Sequence, residues 1–254
     1  MRKGDYEEGH FLDVRGRRFF FRLWKSKRAK AGLILFHALG LHSGRYAWFC
    51  DELSSMGMTC LAVDLYGHGL SDGIRGGGSF KELYGSASKF LQLFNSKYRG
   101  LRWLIAGHGT SALLALLLST QLNSTVLAIS PLVEVSSYIG SITRLKLLKL
   151  LRRKVPVVEC PLYDIRHWEN TLKIRDDNLV VRKVSASLIL EALKTLRSCP
   201  PIPTRVVLLS EQTFKDYKGL QYFRSIARNI ETEISYDPEK EELPFKHLLG
   251  TLNI

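Results

Sequence analysis

Short apolar segments alternate with longer amphipathic ones along most of this 254-residue chain, and this alternation restricts the fold more than any other feature. The apolar segments are rich in Val, Ile and Leu, which is typical of strands buried on both faces of a parallel sheet. Strands are predicted at 33–36, 59–63, 102–106, 125–129, 205–209 and 231–236, and helices at 46–56, 80–98, 111–121 and 217–227. The sequence therefore predicts an α/β fold with a mostly parallel central sheet and helices on both faces.

Two stretches depart from this alternation. Near the N-terminus, segments 11–14 and 17–24 are predicted to form an antiparallel hairpin at the edge of the sheet, with its turn at Arg15 and Gly16. Between the strands at 125–129 and 205–209, about seventy residues have the pattern of helix and loop, which is more than one crossover connection requires. We interpret residues 131–200 as a helical lid inserted into a single domain that comprises residues 1–254.

The formal net charge of +13 is concentrated in two parts of the chain. Residues 1–30 contain ten basic and four acidic side chains, and residues 141–154 contain six basic side chains and no acid. The basic N-terminal hairpin also contains Phe19, Phe20, Phe21 and Trp24, but their alternation suits strand packing better than a platform for stacking bases. Binding of nucleic acid is therefore a weaker hypothesis than contact with a membrane or a protein.

The second basic segment has the periodicity of an amphipathic helix. Leu145, Leu148 and Leu151 recur at a spacing of three on one face, and Lys146 and Lys149 lie on the opposite side. A helix of this kind is typical of the membrane interface. We expect these five side chains to contact an anionic membrane surface or a ligand. The alternative is that the leucines only cover a pocket while the charges are solvated.

Several classes of protein and site do not fit the chain. The longest apolar run, at 112–118, is far shorter than the roughly 20 residues that cross a bilayer, and the charged N-terminus does not resemble a secretion signal. The four cysteines have no paired short spacing, and no metal-site or phosphate-loop pattern occurs. We expect a cytoplasmic protein, peripheral at a membrane, that has no metal and no cofactor.

Three motifs occur in order, each directly after a predicted strand: His37–Tyr46, Asp64–Gly73 and Gly107–Ser111. Together they resemble the oxyanion loop, the Gly-His-Gly turn and the nucleophile elbow of the monoacylglycerol lipase and lysophospholipase branch of the α/β-hydrolases, the serine aminopeptidase S33 type. The resemblance extends from about residue 10 to residue 249. It implies an α/β-hydrolase fold, a lid that meets lipid, and a place in lipid metabolism.

The resemblance also assigns the three catalytic positions, and none holds a competent residue. Gly109 stands at the nucleophile position, where glycine has no side chain that could form an acyl-enzyme. Phe214 stands at the position of the acid and Glu241 at that of the histidine, so neither an orienting carboxylate nor a general base remains there. Leu39 and Thr110 are the remnant of the oxyanion loop. The sequence therefore favours a protein without hydrolase activity, a pseudoenzyme.

Neighbouring residues could substitute for the lost ones. Ser111 follows the nucleophile position by two residues, which places it about 200° around the next helix, pointing away from the oxyanion donors. Asp216 and His247 lie near the lost acid and histidine. Three hypotheses therefore stay open: a pseudoenzyme that binds a lipid, an acyl ligand or a partner protein; a lipase or esterase that uses the displaced residues; and a basic adaptor for membranes or nucleic acid.

Overall fold

The computed structural model describes residues 6–27, 29, 31–156, 177–211, 217–236 and 245–252. Strands are formed by β1 (Glu7–Leu12), β2 (Arg18–Trp24), β3 (Ala31–Phe36), β4 (Met58–Val63), β5 (Arg102–His108), β6 (Thr125–Ile129), β7 (Lys154–Pro156), β8 (Lys183–Ser185), β9 (Ile202–Glu211) and β10 (Ala227–Tyr236). Eight of these strands form one sheet in the order β1-β2-β4-β3-β5-β6-β9-β10. Helices are formed by α1 (Ala47–Ser55), α2 (Phe80–Lys97), α3 (Thr110–Leu122), α4 (Ile142–Leu150), α5 (Ala186–Ser198), α6 (Lys218–Ile226) and α7 (Phe245–Leu252).

The six strands β4, β3, β5, β6, β9 and β10, in this order across the sheet, are parallel to their neighbours. Strand β2 pairs antiparallel with both β1 and β4. The predicted mostly parallel sheet with an N-terminal antiparallel hairpin is confirmed. The bounds predicted for the first strand are wrong, because β1 ends at Leu12 and does not begin at Phe11. Asp13 accounts for this end: its carboxylate accepts hydrogen bonds from the backbone N–H groups of Arg15 and Arg17 at 2.8 and 2.9 Å, which bends the chain into the turn.

Alternate side chains of the central strands are buried in two separate apolar layers. On β3, Ile34 and Phe36 lie in the layer that contains α2, α3 and α5, whereas Leu33 and Leu35 lie in the layer that contains α1. All four are completely buried. The sheet is thus covered by helices on both faces, as the runs of apolar residues predict.

Parallel pairing brings the carboxyl ends of three strands together. Phe36 at the end of β3 pairs with Gly107 of β5, and His108 of β5 pairs with Ile129 at the end of β6. The loops that follow these strands therefore meet at one edge of the sheet, which is where α/β folds build their sites.

Within residues 131–200, the described part contains a 3-10 helix (Val133–Tyr138), α4, an antiparallel pair β7–β8, and α5. Leu145 of α4 and Leu188, Ile189 and Leu193 of α5 belong to the same buried apolar cluster, so this segment is joined to the core. Its interpretation as a lid stays a prediction. None of the described helices is long and apolar enough to cross a membrane.

Candidate active site

The turn between β5 and α3 has the geometry of a nucleophile elbow. Gly109 lies at its apex with φ 60° and ψ −125°, a conformation that L-residues adopt only under strain. The backbone N–H of Gly109 donates to the carbonyl of Ile129 at 2.9 Å, and its carbonyl accepts from the N–H of Leu132 at 2.8 Å. The elbow is therefore held against the chain that leaves β6.

The chain that leaves β6 places a carboxylate at this elbow. Glu134 lies in the 3-10 helix that begins at Val133, and its side chain is completely buried. One carboxylate oxygen, Oε1, accepts from the backbone N–H of Leu39 at 3.0 Å. The other, Oε2, accepts from the backbone N–H of Thr110 at 2.7 Å and from the Thr110 hydroxyl at 3.1 Å. In serine hydrolases of this fold, the oxyanion is held by the N–H of the residue after the nucleophile and by an N–H from the loop after β3. Thr110 and Leu39 occupy the corresponding positions in this chain, so the carboxylate of Glu134 binds the two N–H groups that would form an oxyanion hole.

Glu134 also fills the volume that a side chain of residue 109 would need. A Cβ atom built on Gly109 would lie 2.0 Å from Oε1 of Glu134 and 2.2 Å from its carboxyl carbon. Real Cβ atoms essentially never approach another atom so closely, so a side chain at 109 and the observed position of Glu134 exclude one another. The absence of a side chain at residue 109 thus leaves the space that the carboxylate of Glu134 occupies.

Burial is the largest influence on Glu134 and raises its pKa to about 7, although hydrogen bonds from Leu39, from Thr110 and from its own backbone N–H lower it. A buried carboxylate without such donors would be far more costly. The hydrogen bonds therefore offset part of the cost of burying the carboxylate and do not cancel it, because the pKa stays above its usual value.

Ser111 lies in the first turn of α3 and is buried, and its hydroxyl donates to the backbone carbonyl of His37 at 2.7 Å. Its oxygen is thus bound to the end of β3 and has no role in the oxyanion hole that Leu39 and Thr110 form. Phe214, Asp216 and Glu241 lie outside the described residues, as does the side chain of His247. The predicted roles of these four residues stay predictions.

The histidines near the elbow are bonded to the loops rather than arranged as a general base. The Nδ1 atom of His37 lies 2.8 Å from the carbonyl of Ala38, and its Nε2 accepts from the N–H of Leu65 at 2.9 Å. His108 Nδ1 lies 2.6 Å from the hydroxyl of Tyr46. Burial lowers the pKa of both imidazoles to about 3, so both are neutral near pH 7.

Residues 27–207 match the family described as serine aminopeptidase, S33. The chain belongs to this family. A monoglyceride lipase homolog of Monkeypox virus is 27% identical over 243 residues, which are 88% of this chain and 86% of that protein. The monoglyceride lipase of Mus musculus is 28% identical over 152 residues, 58% of this chain and 50% of the mouse protein.

Solved structures of lipases share the fold. A soluble variant of the Saccharomyces cerevisiae monoglyceride lipase, in complex with a substrate analog, superposes with a TM-score of 0.76 at 15% identity, covering 99% of this chain and 95% of that one. A lipase in its open form superposes with a TM-score of 0.73 at 16% identity over 98% of both chains. The chain is thus a monoglyceride lipase-like α/β-hydrolase, as its three motifs predict.

In this member of the S33 family, the predicted contact residues of α4 point in different directions. Leu145 is completely buried and cannot contact a membrane, and Leu148 packs against the core. The side chains of Leu147, Leu150 and Leu151 are instead 57%, 79% and 53% exposed. Lys146 and Lys149 are exposed as predicted by the helical pattern. Burial against the core excludes the membrane contact expected of Leu145, whereas contact of these residues with a ligand stays a prediction.

The aromatic side chains of the basic hairpin are not arranged for stacking bases. Phe19, Phe20 and Trp24 are at most 3% exposed, and Phe19 and Trp24 lie in the two apolar layers. Several hairpin cations are paired: Arg17 with Asp13 at 2.7 Å, Lys25 with Glu7, and Arg22 with Glu8. These ion pairs neutralise part of the basic charge at this end of the chain.

The sequence patterns missed Glu134, although a signal exists. It is a single acid between Val133 and Val135, five positions after the last residue of a buried strand. A charge in such a position requires hydrogen-bond donors, and the motif positions Leu39 and Thr110 offer N–H groups without an oxyanion to bind. A glycine at the nucleophile position indicates that space is available there. Among the described residues, no group of three or more His, Cys, Asp or Glu side chains could hold a metal ion.

Proposed function

We propose that this S33-family protein does not hydrolyse esters and acts through its lipase scaffold as a binding protein. The observation that carries the proposal is the position of Glu134, whose carboxylate accepts from both backbone N–H groups of the oxyanion hole. Acyl transfer needs these donors for the developing charge of the tetrahedral intermediate. A substrate carbonyl cannot use donors that are already bonded to the chain's own carboxylate.

The nucleophile position supports the same proposal independently. Gly109 carries no nucleophilic atom, and the hydroxyl of Ser111 is bonded to the carbonyl of His37 at 2.7 Å. A serine nucleophile needs a base within hydrogen-bond reach and an oxyanion hole about 3 Å from the reacting oxygen. Loss of the nucleophile alone would leave some catalysis by the oxyanion hole. Occupation of the hole removes that contribution as well.

Hydrolysis of a monoacylglycerol and of a short-chain nitrophenyl ester tests this proposal. We expect the natural protein and Ser111→Ala to react at the rate of buffer alone, and a serine-reactive fluorophosphonate probe to leave both unlabelled. Turnover that Ser111→Ala abolishes would overturn the proposal and make the protein an enzyme with a relocated nucleophile. A purified lipase assayed in parallel controls for substrate quality.

A specific surface supports membrane contact as the binding activity. Leu147, Leu150 and Leu151 are exposed beside the exposed Lys146 and Lys149, and residues 141–154 contain no acid. Exposed leucines flanked by cations suit the boundary between headgroups and acyl chains of an anionic bilayer. We call these five residues the α4 face.

The α4 face lies near a second exposed apolar segment. The Lys154 ammonium group, three residues beyond Leu151, donates to the backbone carbonyl of Arg75. This contact brings the end of the α4 face close to Ile74, which is 71% exposed, and Leu70 of the same loop is 45% exposed. Two separate elements therefore offer apolar side chains close to one cationic region, and both support adsorption to a lipid surface.

Sedimentation with vesicles tests the membrane proposal. We expect the protein to bind vesicles that contain phosphatidylserine more tightly than vesicles of phosphatidylcholine, and the triple variant Leu147→Ser, Leu150→Ser, Leu151→Ser to bind at least tenfold more weakly. Substitution of Leu93→Ser, an exposed leucine on α2, serves as the matched control. Equal binding to both kinds of vesicle, or equal loss in control and triple variant, would contradict this proposal.

A further inference from the structure

We infer that the backbone N–H groups of Leu39 and Thr110 and the Thr110 hydroxyl form a carboxylate-binding site, whose resident ligand is the side chain of Glu134 and which accepts a small free carboxylate once that side chain is shortened. The inference rests on the proposed function, because a hole that holds the chain's own carboxylate is closed to a substrate carbonyl. It goes beyond the proposed function because it names carboxylates as the class of ligand that these donors bind.

The donor set matches a carboxylate rather than a single oxyanion. Three donors converge on two oxygens of one group, with Leu39 on Oε1 and both groups of Thr110 on Oε2, at 2.7 to 3.1 Å. Hydrogen bonds to a charged acceptor are stronger than those between neutral groups. The donors come from two loops, after β3 and after β5, so the carboxylate joins segments that are far apart in the chain.

The backbone that carries the resident ligand is hydrogen-bonded to the elbow. The N–H of Leu132 donates to the carbonyl of Gly109 at 2.8 Å, and the N–H of Val135 donates to the carbonyl of Leu132 at 3.2 Å. The first bond holds the backbone before Glu134 against the elbow, and the second closes the turn that carries Glu134. Shortening the side chain should therefore leave the donors in place, with an empty volume of about the size of acetate between them.

Truncation of Glu134 to alanine removes the two carboxylate oxygens and two carbon atoms, which is the number of heavy atoms in acetate. A free acetate or formate ion can place both oxygens where Oε1 and Oε2 lie, and its remaining atoms where the shortened side chain was. A buried cavity with several unpaired donors binds an anion or water rather than staying empty.

Chemical rescue tests the inference. The melting temperature of Glu134→Ala, Glu134→Gln and the natural protein is measured at pH 8 in sodium acetate and in sodium chloride of equal ionic strength. We expect acetate at ten times its dissociation constant to raise the melting temperature of Glu134→Ala by about 3–6 °C. The natural protein and Glu134→Gln, whose side chains fill the site, should not respond. An equal rise in all three proteins, or no rise in Glu134→Ala, would overturn the inference.

A second measurement covers the case in which Glu134→Ala does not fold in chloride. The yield of folded protein after refolding is then compared in formate, acetate and chloride. A higher yield in formate or acetate supports the site, and equal yields in the three salts overturn it. Both experiments measure stability or folding and not turnover, so the carboxylate site and the absence of hydrolysis can each fail without the other.

Discussion

The elbow around Gly109 and the α4 face differ in where their polar groups find partners. At the elbow, the carboxylate of Glu134 and the hydroxyl of Ser111 are buried and bonded to backbone groups of the same chain. On the α4 face, lysines and leucines are exposed side by side. A buried network is fixed by the fold, whereas an exposed apolar and cationic surface is open to an external partner. The difference indicates that the polar groups at the elbow bind to the chain itself, whereas those of the α4 face are accessible from outside.

Substitution of two glycines gives the largest contrast between these regions. In Gly109→Ala, the new methyl group would lie 2.0 Å from Oε1 of Glu134, so we expect a loss of at least about 3 kcal/mol in the free energy of unfolding. In Gly140→Ala, just before α4, the methyl group meets no atom within 4 Å, and we expect a change of about 0.5–1 kcal/mol at most. Urea unfolding measures both.

A second substitution separates the collision from backbone strain in this glycine experiment. Strain at φ 60° acts on alanine whether or not the glutamate is present. The collision disappears in Gly109→Ala/Glu134→Ala. We therefore expect Gly109→Ala to cost less in the Glu134→Ala background than in the natural protein. Equal costs in both backgrounds would show that Glu134 does not compete with a side chain at 109.

Two leucines of α4 allow a buried and an exposed position to be compared on one helix. Leu145 is completely buried, so Leu145→Ala should lower the free energy of unfolding by about 2–4 kcal/mol. Leu150 is 79% exposed, so Leu150→Ala should change it by less than about 0.5 kcal/mol. Thermal or urea unfolding checks the order, and similar losses for both leucines would mean that α4 packs in another orientation.

The dependence of stability on pH is a smaller effect that isolates the buried carboxyl group. The pKa of Glu134 is raised from 4.5 to about 7, so the folded protein holds this proton more tightly than the unfolded chain. Its contribution to stability is present in full below about pH 4.5 and is lost as the pH rises toward 7, by at most about 1.4 kcal/mol per pH unit. Relative to Glu134→Gln, the natural protein should therefore become more stable as the pH falls from 7.5 to 5.5.

The buried histidines act in the opposite direction in both proteins. The pKa values of His37, His68 and His108 are lowered from 6.5 to about 3, so their contribution to stability is present above pH 6.5 and is lost as the pH falls. Comparison of the natural protein with Glu134→Gln cancels this loss, because both contain the same histidines. Parallel stability curves for the two proteins would refute the raised pKa of Glu134.

The sequence patterns predicted the order of strands and helices well, because apolar runs and helical periodicity depend on which residues are buried. The resemblance of Gly107–Ser111 to a nucleophile elbow, in a position between a strand and a helix, placed Gly109 at the apex. The patterns could not place Glu134, which reaches the elbow through a turn at Leu132 that has a φ of 63° and through pairing of β5 with β6. Contacts of this kind depend on tertiary geometry that no local pattern records.

The α4 pattern shows a second limit of sequence reasoning. A spacing of three placed Leu145, Leu148 and Leu151 on one face, yet an α-helix advances 100° per residue, so residues six apart are rotated by about 120°. Leu145 is buried and Leu151 is 53% exposed. The pattern identified the helix and its exposed lysines, whereas the choice of buried leucines depended on where α5 lies.

The last comparison concerns the lysines of the α4 face, where binding to a surface is expected to change while the stability of the fold does not. Each lysine near an anionic leaflet contributes about fivefold to binding, so Lys146→Gln/Lys149→Gln should bind phosphatidylserine vesicles roughly 25-fold more weakly, with no change in the free energy of unfolding. Lys81→Gln/Lys89→Gln on α2, which removes the same charge from another exposed helix, should change binding far less. Added salt should reduce the difference between the pairs, because screening weakens the attraction. Equal loss of vesicle binding in both pairs would mean that only the net charge of the protein matters. The exposed α4 face would then not be a specific contact surface, in contrast to the elbow, whose polar groups have defined partners.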